Sequence, residues 1–110
     1  MQVKLKRMTK AVPVTIGTDT TTASAVRLED AAGFALLVGP LTASVTVNVY
    51  ASNNEGDGGR PFVDGGSVFS LTLPADAGGS CHALPEGLFG AAVIRLVSSA
   101  TLTGTVVMKT

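Results

Sequence analysis

Ser44–Ala51 alternates apolar and polar residues. Val45, Val47 and Val49 fall on one side; Ser44, Thr46, Asn48 and Tyr50 fall on the other. A period of two is that of a strand with one buried face. Val12–Ile16 repeats it with Val12, Val14 and Ile16, and Pro13 inside the run predicts an edge strand. Gln2–Lys6 carries the same pattern with Val3 and Leu5. Phe34–Val38 is apolar throughout and too short for a helix, which predicts a strand buried on both faces. Val68–Leu73 puts Phe69, Leu71 and Leu73 on one face, and Ala92–Val97 and Thr103–Lys109 close the chain as strands. Ser24–Leu28, Pro61–Val63 and Cys81–Leu84 are shorter candidates.

The segments between them are punctuated by Gly, Pro, Asn and Asp, which supply turn geometry. Gly17–Ser24, Ser52–Arg60 and Pro74–Ser80 read as loops, and Glu29–Gly33 and Asp64–Gly66 as turns. Pro85–Phe89 has the makings of one helical turn, with Gly90 to close it. No amphipathic helix of useful length is present. The expected fold is all-β: an antiparallel β-sandwich, jelly-roll-like, of about eight short strands. At 110 residues one domain is expected over 1–110, with 1–10 a basic N-terminal strand or docking arm.

Composition sharpens this picture. The chain is 45% hydrophobic but only 5% aromatic and has no Trp, so Val, Leu, Ile and Ala must fill the core. Charged residues make up 15%, against about 25% in an average soluble domain, and the net charge is +0. A surface so poor in charge is weakly protected against association, which points to coverage by partners or sister subunits. Cys81 is the one cysteine, so no internal disulfide can form. No run approaches the roughly 20 apolar residues of a membrane-spanning helix, and no signal peptide is apparent. A soluble chain made in a cytoplasm is expected, with no membrane partner.

Several residues invite a chemical reading. Asn53, Glu55 and Asp57 in the run NNEGDGG mimic the oxygen spacing of a calcium loop. Its flanks are strands rather than the helices an EF-hand needs, and a flexible hairpin tip in which Gly and Asn supply turn geometry is the favoured reading. Cys81 and His82 are adjacent in a strand, so they point to opposite faces and make a poor catalytic pair. Cys81 is expected in the core and His82 at the surface or an interface. A zinc site needs about four ligands and this pair offers two. No catalytic triad or phosphate loop is present, so no enzyme and no cofactor are expected.

Lys4, Lys6, Arg7 and Lys10 place four of the eight basic residues in the first ten positions, without an acid. This arm suits an acidic partner surface. Nucleic acid is disfavoured, because no aromatic residues are interleaved for base stacking. Tyr50, Arg60 and Phe62 flank the long loop. They could grip a sugar ring, but the favoured reading packs Phe62 into the core and leaves Tyr50 capping its edge.

The run VTVNVYASNNEGDGGRPFVD, then VFSLTLPA, then HALPEGLFGAAVIRLVSSA and the closing TGTVVMK, resembles small virion proteins of tailed bacteriophages. The likeness spans Leu36–Lys109. It rests on Val47, Val49 and Ser52 before a glycine-rich tip, on Phe62–Val63, on Leu84–Pro85 ahead of Phe89–Gly90, and on a strand ending Val97–Ser98. It implies a β-sandwich on the capsid exterior, a head decoration or cement protein that bridges capsid subunits. The implied partners are the major capsid protein and sister copies, a homotrimer being one arrangement. The alternative is a carbohydrate-binding or structural module of a tail, fibre or baseplate. The residues carried into either reading as partner-binding are Lys4, Lys6, Arg7, Lys10, Tyr50 and Arg60.

Overall fold

The computed structural model describes residues 9–28, 33–85, 87–88 and 91–109. The predicted strand Gln2–Lys6 and most of the predicted turn Glu29–Gly33 lie outside them. Eleven strands are present among the described residues, and every strand pairing is antiparallel. β1 (Thr9–Ile16), β3 (Gly33–Val38), β9 (Ser80–Ala83) and β11 (Leu102–Lys109) form one sheet in the order β1-β11-β3-β9. β2 (Val26–Arg27), β10 (Val93–Ser98), β4 (Val45–Ser52) and β5 (Arg60–Pro61) form the second, in that order, and β8 (Ser70–Leu73) also pairs with β4. β6 (Val63–Asp64) and β7 (Ser67–Val68) make a separate two-stranded ribbon.

The excess over about eight strands has a local cause. The segments predicted as Pro61–Val63 and Val68–Leu73 are each split, at Phe62 and at Phe69. Phe62 N–H donates to the Val49 carbonyl at 2.8 Å, and Phe69 N–H donates to the Phe62 carbonyl at 2.9 Å. The two rings meet edge to face, with centroids 6.2 Å apart, and pack against the core. β5 and β8 thus share one edge of β4, while the ribbon β6–β7 projects beyond Phe62 and Phe69. Gly65 and Gly66 turn that ribbon with φ of 62° and 86°, the positive values a two-residue type I′ hairpin requires.

Alternation sets the core. Val14, Ile16, Leu36, Val38, Val106 and Met108 of the first sheet and Val47, Val49, Leu73, Ile94 and Leu96 of the second belong to one buried cluster. β1 lies at the edge of its sheet, as Pro13 predicts. Beyond Ile16, the chain enters the second sheet. Gly17 bridges Val97 of β10, its N–H donating to the Leu96 carbonyl at 3.2 Å and its carbonyl accepting from Ser98 N–H at 2.8 Å. The helical turn expected at Pro85–Phe89 is described only in part, through Leu88 N–H donating to the Pro85 carbonyl at 3.2 Å.

Two expectations about burial are overturned. Phe34–Val38 is not buried on both faces: Leu36 is fully buried, whereas Leu37 is 42% exposed. An apolar run has the same sequence signature whether its second face is covered or bare. Cys81 is exposed rather than in the core, and His82 is half-buried, with its Nε2 2.7 Å from Ser80 Oγ. The register decides both. His82 pairs with buried Leu36, and Cys81 pairs with Leu37, so each takes its partner's face.

Candidate functional site

Two features stand out, one on each sheet. The first is the outer side of β1-β11-β3-β9. Ala11, Val107, Ala35 and Ala83 form one row across the four strands. Pro13, Thr105, Leu37 and Cys81 form the next, and Thr15 and Thr103 extend the patch on two strands. Each residue of these rows is exposed or half-buried, and none carries a formal charge. The patch stops at the Thr9–Lys109–Gly33 end of the sheet.

The second feature is the loop between Ser52 and Arg60. It folds back over the outer side of β10, where Arg95 lies directly opposite Tyr50 of β4. Arg95 is only 9% exposed. Its Nη1 donates to the Asp57 carbonyl at 2.5 Å and its Nη2 to the Glu55 carbonyl at 2.6 Å. A guanidinium taken out of water must find acceptors for its donors, and the loop backbone supplies them. Arg27 Nε pairs with Glu55 Oε1 at the flank of the loop. This hydrogen bond first, and the charge of Arg27 second, hold the Glu55 carboxyl below its ordinary range. Asp57 Oδ1 accepts from Gly59 N–H at 2.9 Å, closing the tip.

Of the side chains that suggested calcium, the Glu55 carboxylate is engaged by Arg27 and Asp57 Oδ1 by the loop itself, while Arg95 takes the backbone carbonyls of the same two residues. The loop is a hairpin tip, but one clamped by Arg95 rather than the flexible tip expected of NNEGDGG. A shallow groove of about 430 Å³ runs beside it, lined by Ala51, Ser52, Asn53, Asp57, Arg60 and Ala91.

The structure does not gather the residues carried forward from the sequence. Lys4, Lys6 and Arg7 lie outside the described residues. Lys10 is exposed on β1, opposite Met108. Tyr50 is half-buried on β4 and Arg60 is exposed on β5, both in the other sheet. Tyr50 pairs with Pro61, while Arg60 pairs with Ala51, so alternation sends Tyr50 and Arg60 to opposite faces. They cannot form one sugar-gripping surface. Phe62 packs against the core as expected.

Arg95 was missed because its partners are backbone atoms of a distant loop. Its signal is present all the same: a lone charge inside the apolar run Val93–Val97 must either break the strand or bring its own acceptors. A further carboxylate, Asp19, organises the turn after β1. Its Oδ1 accepts from Thr21 Oγ1 at 2.7 Å and from the N–H groups of Thr21 and Thr22. These bonds, led by that of the Thr21 hydroxyl, lower its pKa. No family model matches the chain, and no curated protein or solved structure matches it either.

Proposed function

We propose that this chain is a structural component of a tailed-phage virion, a β-sandwich of jelly-roll type that decorates or cements the head by bridging capsid subunits. The observation that carries this reading is the pair of uncharged rows on the outer side of β1-β11-β3-β9. They span all four strands in a chain otherwise able to place charge on its surface. Such a face gains by leaving water and loses no charge hydration in doing so. The likeness over Leu36–Lys109 supplies the virion context. The role is non-catalytic: each copy holds a neighbour through modest contacts, and many copies on one shell add their contacts through multivalency. The basic arm at 1–10 would add attraction toward an acidic capsid surface.

Counting copies in purified particles by quantitative mass spectrometry tests the proposal. Copy numbers on the order of hundreds, comparable with the major capsid protein, are expected for a cement. A handful of copies overturns it and moves the chain to a tail or fibre. A glycan-binding role there would fall to the groove beside the clamped loop, with Asn53, Asp57 and Arg60 as its polar groups. That reading is weakened by the separation of Tyr50 from Arg60, which leaves the groove lining without an aromatic platform.

A further inference from the structure

We infer that the turn after β1 is an edge plug: Ser24, held beside Thr15, acts with Pro13 to close the outer edge of β1 to an added strand, leaving only Thr9–Ala11 open to one. This property belongs to the edge of the sheet rather than to its face, and it does not depend on the virion reading. β1 is eight residues long and lies at the edge of its sheet. An unpaired edge offers its N–H and carbonyl groups to any passing strand. The other edge strands among the described residues, β2, β5, β8 and β9, are two to four residues long. Such short edges are poor templates, so β1 is the edge that needs closing.

Hydrogen bonds fix which groups of β1 face outward. In an antiparallel ladder a residue turns its N–H and its carbonyl to the same side, and its neighbours turn theirs to the other. Thr15 N–H donates to Ser24 Oγ at 2.8 Å, and the Thr15 carbonyl accepts from Ser24 N–H at 3.0 Å. Thr15 therefore faces away from β11. By alternation Thr9, Ala11 and Pro13 face away too, whereas Lys10, Val12, Val14 and Ile16 face β11. Gly17 continues the outward series, its N–H and carbonyl both going to β10.

Three successive outward positions are thus closed, each by a different means. Gly17 is spent on β10. Both groups of Thr15 are taken by Ser24, which sits where the next strand would run. Pro13 has no N–H, and its ring fills the space into which one would point. The plug is itself held in shape. Ala23 N–H donates to the Asp19 carbonyl at 3.1 Å, and Asp19 Oδ1 accepts from the N–H groups of Thr21 and Thr22 at 3.0 and 2.9 Å. No described residue bonds the outward groups of Ala11. An incoming strand can therefore pair with Thr9 and Ala11 but must stop at Pro13.

Amide hydrogen exchange of the purified full chain, followed residue by residue by NMR and corrected for intrinsic rates, tests this. Thr15 N–H is expected to exchange at least about tenfold more slowly than Ala11 N–H, although both face outward. Ser24→Ala should bring Thr15 to the rate of Ala11 while Val12 and Val14 keep their protection. A variant combining Pro13→Val, Asp19→Ala and Ser24→Ala restores the missing donors and loosens the plug. It should associate with itself at least about tenfold more tightly than the wild type in sedimentation velocity, with the amides of Ala11 and Thr15 protected in the associated form. Three results overturn the inference: a wild-type Thr15 amide that exchanges as fast as that of Ala11, Thr15 protection unmoved by Ser24→Ala, and a combined variant that is folded by circular dichroism yet associates no more than the wild type. Should the combined variant fail to fold, the exchange rates of the wild type and of Ser24→Ala decide.

Discussion

The Arg95 guanidinium and the Glu55 carbonyl oxygen meet at 2.6 Å although the residues are 40 positions apart. This contact, with its neighbour to the Asp57 carbonyl, turns a glycine-rich loop into a fixed rim. The loop needs that hold, because the run Asn53–Gly59 has no apolar side chain with which to anchor itself.

Replacing Arg95 by Ala should therefore free the loop before it unfolds the domain. Hydrogen bonds to a charged donor are worth about 1.5–3 kcal/mol each when their acceptors stay buried. Here the released carbonyls can rehydrate, so a loss of about 2 kcal/mol is expected, part of it from the packed arginine stem. Urea denaturation measures the loss, and limited proteolysis should show new cleavage within Asn53–Gly59. Arg95→Lys keeps the charge but not the two-pronged fork, and should protect the loop only in part. Unchanged proteolysis of Arg95→Ala would show that the clamp is dispensable.

Leu36 and Leu37 are neighbours with opposite fates. Leu36→Ala should cost about 2–5 kcal/mol, since its side chain is fully enclosed. Leu37→Ser should change the stability of the monomer by no more than about 0.5 kcal/mol. Chemical denaturation at low protein concentration distinguishes them, and comparable losses would mean that the face of β3 is assigned wrongly.

Gly79 and Gly65 both have positive φ, at 80° and 62°, but only one is hemmed in. A Cβ on Gly79 would press on the Val38 carbonyl and on Gly39, backbone that pairs with β9, whereas Gly65 faces open space. Gly65→Asn should be nearly neutral, because Asn tolerates this region in turns. Gly79→Ala combines the roughly 1–2 kcal/mol of left-handed strain with a steric conflict. By thermal melts, a midpoint fall of more than about 8 °C is expected for Gly79→Ala alone.

Acid should erode stability through Glu55 and Asp19. Both pKa values are lower in the folded chain than the ordinary 4.5 and 3.8. A depressed carboxylate pKa stabilises the fold above the unfolded value, and that contribution disappears as the pH falls through the folded value. The decline should thus begin near pH 4.5 and continue below 3.8. Because Arg27 and Glu55 are both about half-exposed, the pair adds little at neutral pH and less in high salt. Denaturation midpoints for wild type and Glu55→Gln, compared from about pH 6 to pH 3, should converge as the medium becomes acid. Parallel curves would contradict the assignment.

Much of the fold is legible in the sequence where local pattern and burial coincide. Val45–Tyr50 alternates in sequence and in the structure, and Pro13 marks a true edge. What escapes is whatever depends on pairing at a distance. A four-residue strand such as Ser80–Ala83 has no strong parity of its own, so only its register with β3 decides that His82 turns inward and Cys81 outward. The split at Phe62 and Phe69 likewise follows from a ring contact that no one-dimensional period contains. The uncharged face was foreshadowed by the low charge content, but its location required the order β1-β11-β3-β9. The Arg95 clamp could be anticipated only as a need for acceptors, not as a position.

The passage of the chain from Ile16 through Gly17 has a mechanical consequence. Gly17 is hydrogen-bonded to β10 immediately after β1 has finished its ladder with β11, so the chain is tied to both sheets within two residues. Drawing β1 away from the second sheet requires breaking the two backbone bonds between Gly17 and β10, so a load on one layer is passed to the other at this point.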